Sequence, residues 1–269
     1  GTFCLALTYL ARLAQRHLDV RQTENALILM AAYPFAIYFS APYSESLFLL
    51  AMCGLFLSAH EERFGRAALW GLVAGLTRPN GWLLALPLAL LMFHEQARPA
   101  GRREWLRRGV AAAAPIAGVL LFTYYLHLQF GDGFAWVRGQ AAWGRTFRGL
   151  HLLAADRLTY MREYGMSAYL TDFPTDALNT AAALLALPVI VPVTKRLGLV
   201  YGLLMGVLVL PPLLVGGTLS MGRLTSILFP LFIWLATAIP VQHRVTVLIV
   251  FATMQGFGAT LFFTWRPLF

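Results

Sequence analysis

Apolar stretches alternate with short polar joints along the whole chain. The stretches run over residues 1–14, 26–40, 46–59, 67–77, 81–93, 109–128, 177–193, 197–217, 226–240 and 245–263. None alternates with period two over the length of a barrel strand, so strands are not expected. The pattern predicts an all-α, polytopic helix bundle in a membrane, with about ten transmembrane helices. Pro42, Pro79-Asn80-Gly81, Pro99, Pro174 and Gly216-Gly217 mark joints. Pro34, Pro87, Pro115, Pro188, Pro192, Pro211 and Pro212 lie in or beside stretches, where proline kinks a helix. Several stretches fall short of twenty residues, which is tolerable where neighbouring helices cover their ends.

Composition agrees with the pattern. Of 269 residues, 59% are hydrophobic and 12% charged, and mean hydropathy is +0.66. A soluble domain carries about twice that charge. The composition therefore excludes a soluble globular enzyme, a disordered chain and a fibrous repeat. Cys4 and Cys53 both sit in apolar runs and give no disulfide framework. The net charge of +9 reads as arginine facing anionic lipid. Nucleic acid is excluded as a partner, because no basic stretch is interleaved with aromatics for base stacking.

The first stretch meets Arg12 after about ten residues, too few to cross about 30 Å of hydrocarbon. The expectation is an incomplete first helix and a chain truncated at its N-terminus. Threading the stretches alternately puts Arg12, Arg16, Arg21, Arg63, Arg66, Arg98, Arg102, Arg103, Arg107, Arg108, Lys195, Arg196 and Arg244 on one side. Only Arg78, Arg223 and Arg266 fall on the other, apart from a long loop that the positive-inside rule discounts. That loop, 129–176, is then extracytoplasmic. Its Trp136, Trp143, Phe147, Leu150, Leu152 and Leu153 among Arg138, Arg145 and Arg148 read as amphipathic helices in the membrane interface. The whole, 1–269, reads as one transmembrane domain.

The apolar interior is nearly free of ionisable groups, unlike that of an ion-coupled transporter. Polar residues gather at the outer ends of stretches instead: Tyr43-Ser44-Glu45-Ser46, then Thr77-Arg78-Pro79-Asn80-Gly81, then Ser220-Met221-Gly222-Arg223-Leu224-Thr225-Ser226. Read from the residues alone, Arg78 and Arg223 are arginines snorkelling at helix ends. Glu45 bonds the amides of the next helix start, and Tyr43, Ser44 and Ser46 stand where that helix is capped. Asn80 is a turn residue beside Gly81, and Trp143 is an interfacial anchor in the loop that also carries Asp132. Asp172 and Asp176 read as helix caps near Pro174. The histidines never fall at metal-ligand spacing, and no glycine-rich phosphate loop follows a strand. No metal and no cofactor is implied.

The run Tyr33-Pro34-Phe35-Ala36-Ile37-Tyr38-Phe39-Ser40-Ala41-Pro42-Tyr43-Ser44-Glu45-Ser46-Leu47-Phe48 resembles the PIG-V family of GPI mannosyltransferases and its bacterial relatives. So does Leu76-Thr77-Arg78-Pro79-Asn80-Gly81. Gly131-Asp132 with Gln140-Ala141-Ala142-Trp143-Gly144-Arg145, and Met221-Gly222-Arg223 with Phe229-Pro230-Leu231-Phe232, look like the bacterial members. The resemblance implies a membrane glycosyltransferase of the GT-C superfamily. Such enzymes take a sugar from a polyprenyl-phosphate donor on the outer or lumenal face and pass it, with inversion, to an acceptor hydroxyl. It implies as partners a polyprenyl-phosphate-linked sugar, a lipid or glycan acceptor and membrane lipids. It also places the main catalytic aspartate in a first outer loop that precedes Gly1, leaving Glu45 a supporting role in positioning the acceptor. It makes Arg78 and Arg223 the candidates for the donor phosphate, because guanidinium matches phosphate oxygens in bidentate fashion. Tyr43, Ser44, Ser46 and Asn80 become candidates for sugar hydroxyls, and Asp132 and Trp143 for an acceptor groove.

The resulting expectation is a mannosyl- or other hexosyltransferase. The alanine- and arginine-rich, lysine-poor composition leans toward a bacterial inner membrane with the site facing the periplasm. A flippase of lipid-linked sugars and a non-catalytic membrane assembly protein are the alternatives.

Overall fold

A computed structural model of the chain describes residues 1–96, 98–99, 101–142, 147 and 149–264. Among the described residues the protein is helical, with no strand. Thirteen α-helices follow in order: α1 Thr2–Ala14, α2 Val20–Ala31, α3 Glu45–His60, α4 Phe64–Thr77, α5 Ala85–Leu90, α6 Arg102–Phe130, α7 Ala135–Ala142, α8 Leu150–Asp172, α9 Pro174–Leu197, α10 Leu199–Gly216, α11 Met221–Ser226, α12 Phe229–Ala238 and α13 Arg244–Phe263.

Four helical segments are long and apolar enough to cross a membrane: Arg102–Phe130, Pro174–Leu197, Leu199–Gly216 and Val241–Phe263. That is the make-up of a multi-pass membrane protein. The other apolar helices, α1, α3 and α12, have 13, 16 and 10 residues. Even the longest of these rises only about 24 Å, against about 30 Å of hydrocarbon. Helix length thus supports four of the ten or so expected crossings.

The differences from the expected boundaries have local causes. The stretch 26–40 is not one helix. An Asp19–Gln22 capping box starts α2 earlier, at Val20, and Pro34 follows its end. A separate 3-10 turn covers Ala36–Phe39. The stretch 81–93 divides into a 3-10 turn (Pro79–Leu84), α5 and a π-turn (Leu91–Glu95). The stretch 226–240 divides between α11 and α12. The start of α6 lies seven residues before the expected 109, so Arg102, Arg103, Arg107 and Arg108 belong to a helix, where loop positions were expected. By contrast, α6, α9 and α10 run on through Pro115, Pro188, Pro192, Pro211 and Pro212.

At the centre is α3, buried at every position but Leu47 and His60. A helix apolar on all sides finds its minimum only when neighbours cover all sides. Here α1 and α4 pack along it. The other extreme is α13, which buries only Gly258 and exposes Val245, Ile249, Val250 and Phe257. Such a face suits lipid. At one end of the bundle the Tyr201 hydroxyl lies 3.3 Å from His17 Nε2 and 2.9 Å from His60 Nε2. It joins α10, α3 and the turn after α1 there.

The tightest contact is between α4 and α6. Gly71 and Gly75, four residues apart, face Pro115 and Gly118. A Cβ at Gly75 would lie 2.1 Å from the Pro115 carbonyl oxygen, and one at Gly118 would lie 2.4 Å from that of Leu72. Small residues at this spacing let two backbones touch, which is how helices associate where no hydrophobic force separates helix from lipid. The same logic seats the Trp70 ring against Gly54 of α3. Gly75→Val is expected to destabilise by about 1–3 kcal/mol through overpacking. Gly109→Ala, where nothing lies within 4 Å, should be neutral or slightly stabilising. Thermal melting of both variants in detergent checks the contrast.

Candidate functional site

The chain is turned three times to bring three charged residues together. The first turn follows the 3-10 segment. Ser46 Oγ donates to the Phe39 carbonyl at 2.7 Å, which folds the Ser40–Ser44 turn back and places Glu45 in the opening turn of α3. An acid is favoured there by the unpaired amides of the helix start. Ser44 is the N-cap residue but makes no side-chain cap, so the capping expected of this block is absent from Ser44, and Ser46 bonds the preceding turn.

The second turn ends α4. Proline disfavours helical geometry in the residue before it, so Arg78 takes an extended conformation (φ −145°, ψ 138°) before Pro79. Gly81 then passes so close to α4 that a Cβ would lie 2.6 Å from the Ala74 carbonyl oxygen. The third turn precedes α11. Gly217 (φ 63°) and Ser220 (φ 63°) both adopt left-handed backbone, uncommon for a non-glycine residue. Asn179 Oδ1 of α9 accepts from the Gly222 amide at 2.8 Å. The Phe35 ring fills the space beside Gly222 where a Cβ would stand. Arg223 is thereby fixed in direction.

The result is one carboxylate between two guanidinium groups. Arg78 Nη1 donates to Glu45 Oε1 at 2.8 Å, and Arg223 Nε lies 2.5 Å from the same oxygen. The Glu45 side chain is 0% exposed, that of Arg78 8% and that of Arg223 21%. Arg78 lies over the Phe48 ring (5.6 Å) and Arg223 over the Tyr43 ring (4.9 Å). Among the described residues, Glu45 Oε2 is buried with no hydrogen-bond partner. Arg223 is the more exposed of the two cations.

The sequence candidates divide accordingly. Tyr43, Glu45, Arg78 and Arg223 converge. Asn80 is half-buried in the 3-10 turn after Arg78. Asp132 caps its own turn by accepting from the Phe134 amide at 3.0 Å and pairs with Arg138. Trp143, like Arg145, Arg148 and Arg266, lies outside the described residues.

The expectation that Asp172 and Asp176 cap helices is corrected. Asp172 accepts from the Tyr160 hydroxyl at 2.6 Å. Asp176 accepts from Arg157 Nε (2.8 Å), Tyr169 (2.6 Å) and Thr218 (2.5 Å). It joins α8 and α9 to the turn that carries Arg223. Residue types alone do not reveal this network, since Arg157, Tyr169 and Thr218 are far apart in sequence. Asn179 did carry a signal, a polar amide inside an apolar run.

An apolar groove of about 410 Å³ adjoins this site, lined by Pro34, Phe35, Ile37, Leu178, Thr253, Met254, Phe257 and Gly258. Phe35 is shared: one part of it borders the groove and its ring packs on Gly222, next to Arg223. Among the described residues no three of His, Cys, Asp and Glu cluster as a metal site.

Over 133 residues, 47% of its length, the chain is 32% identical to GPI mannosyltransferase 2 of Drosophila pseudoobscura pseudoobscura. The match spans 29% of that relative. No protein-family model matches the chain, and no solved structure matches it.

Glu45→Ala is expected to destabilise by about 3–5 kcal/mol, because it leaves two cations facing each other in a buried site. Arg223→Ala should cost clearly less, since Arg78 still neutralises the carboxylate. Chemical or thermal unfolding of both variants tests this order.

Proposed function

We propose that the chain is a multi-pass membrane glycosyltransferase of the mannosyltransferase type, using a polyprenyl-phosphate-linked hexose as donor. One observation carries the reading. A partly exposed guanidinium, paired with a buried carboxylate, follows a glycine packed on Phe35, which also lines an apolar groove. A lipid-linked sugar phosphate has the complementary layout, an anion joined to an apolar chain. The partial likeness to a GPI mannosyltransferase supports the same class. So does the resemblance of the Tyr43–Ser46 and Arg78–Gly81 blocks to the PIG-V family.

In this reading the donor phosphate meets Arg223 and the tail enters the groove beside Phe35 and Phe257. The C1–O bond to phosphate breaks, and the acceptor oxygen bonds C1 from the opposite face. Negative charge builds on the departing phosphate, and a preoriented cation in a water-poor site lowers the energy of that charge. The acceptor proton goes to a base that this cluster does not provide, because Glu45 is already paired with two guanidinium groups. The supporting role of Glu45 is to hold Arg78 and Arg223. Arg78 is a positioning residue; Tyr43 keeps Arg223 over its ring. Ser44 and Asn80, at the same rim, are the candidates for sugar hydroxyls. Asp132 and Trp143 of the loop are candidates for the acceptor side. The site faces the exterior compartment, as the distribution of arginine suggests.

Arg223→Ala is expected to reduce transfer from a polyprenyl-phosphate mannose by about 10²–10³-fold, with Arg223→Lys intermediate because lysine cannot form the bidentate contact. Radiolabel transfer in membranes measures it. A wild-type rate in Arg223→Ala removes this residue, and with it the proposed phosphate site.

A further inference from the structure

A second groove, of about 260 Å³, lies between the starts of α4 and α6, and Phe64, Ala68, Arg103, Leu106, Arg107 and Val110 contribute to its walls. Positions 103, 106, 107 and 110 follow helical spacing, so they form one face of α6. On that face Arg103 and Arg107 form one i,i+4 row, and Leu106 and Val110 form a second row beside it. Leu106 and Val110 are 56% and 63% exposed. Trp105, also exposed, packs against Phe93 at a ring separation of 5.0 Å. A tryptophan here is at home at the level of lipid headgroups.

The charges on this face have been left over by the fold. Glu104 is the nearest acid on α6, and it is taken by Arg108. Arg108 turns inward, is 1% exposed, donates to Glu104 Oε1 and the Met92 carbonyl at 2.5 Å each, and lies over the Phe64 ring. On the α4 side, Glu61 is occupied by Arg63 and Arg66. Among the described residues no hydrogen bond or ion pair joins Arg103 or Arg107 to a protein group. Two guanidinium groups without counter-ions therefore stand one helical turn apart at the mouth of an apolar groove. A Cβ at Gly65, which also borders the groove, would meet nothing within 4 Å.

We propose that this groove binds an anionic glycerophospholipid. Its phosphodiester lies between Arg103 and Arg107, and an acyl chain runs over Leu106 and Val110 against α4. The row of two cations beside a row of apolar side chains offers a headgroup phosphate and an acyl chain each its own contact. Basic pockets between membrane helices recognise anionic headgroups in this way. The proposal depends on the helices lying in a membrane and is independent of any transferase activity.

The test is native mass spectrometry of the purified chain in neutral detergent, titrated with dioleoylphosphatidylglycerol or dioleoylphosphatidylcholine. Retention of the anionic lipid at about tenfold to thirtyfold lower concentration is expected. Arg103→Ala with Arg107→Ala should abolish that preference. Arg98→Ala with Arg102→Ala, which removes the same charge at the same end away from the groove, should leave it. Val110→Trp, at an exposed position, should reduce lipid retention with both arginines present and melting unchanged. Equal retention of the two lipids, an equal loss in the control pair, or displacement of the lipid by inorganic phosphate would overturn the proposal.

Discussion

A carboxylate removed from water must be met by positive charge, and Glu45 is met twice. This one interaction ties together three parts of the chain that are otherwise distant: the start of α3, the end of α4 and the short α11. Desolvating an ion costs several kcal/mol. The pairing is tolerable only because the turns deliver both guanidinium groups to one oxygen. Pro79 keeps Arg78 out of the helix, and the left-handed backbone at Gly217 and Ser220 aims α11. Of the two guanidinium groups, that of Arg223 is the more exposed.

The framework around this cluster is built for close approach. Gly71, Gly75 and Gly118 let α4 and α6 touch at their backbones, and Gly54 admits Trp70 against α3. These contacts fix where α4 ends, and so where Arg78 is delivered. On the other flank, Asn179 and the network of Asp176, Arg157, Tyr169 and Thr218 connect α8 and the α9 start to the turn before Arg223. The direction of Arg223 is thus coupled to α8. That helix breaks at Gly165 (φ 89°, ψ 161°), and its first part is held to α9 through Arg157.

Much of the architecture was legible in the chain. The helical make-up and most element boundaries follow from apolar runs and their breakers. The polar blocks at 43–46, 77–81 and 220–226 announced themselves as exceptions within an apolar sequence. Less legible were the breaks inside apparent spans. Residues 26–40 and 81–93 are uniformly apolar, and the 3-10 and π turns within them come from proline placement and packing. Arg108 was misassigned to a loop because arginine in sequence signals water, whereas here Glu104, the Met92 carbonyl and the Phe64 ring replace it.

The sequence by itself determined the solvent of this protein and the chemistry available at its polar joints, because hydropathy and residue type act locally. Only the tertiary structure decided which joints meet, which arginine is enclosed and which reaches water, and that Asp176 serves a long-range network in place of a helix cap. Those outcomes depend on turns and helix contacts tens of residues apart, and charge pairing in a water-poor interior is set by distance in space, which spacing along the chain does not encode.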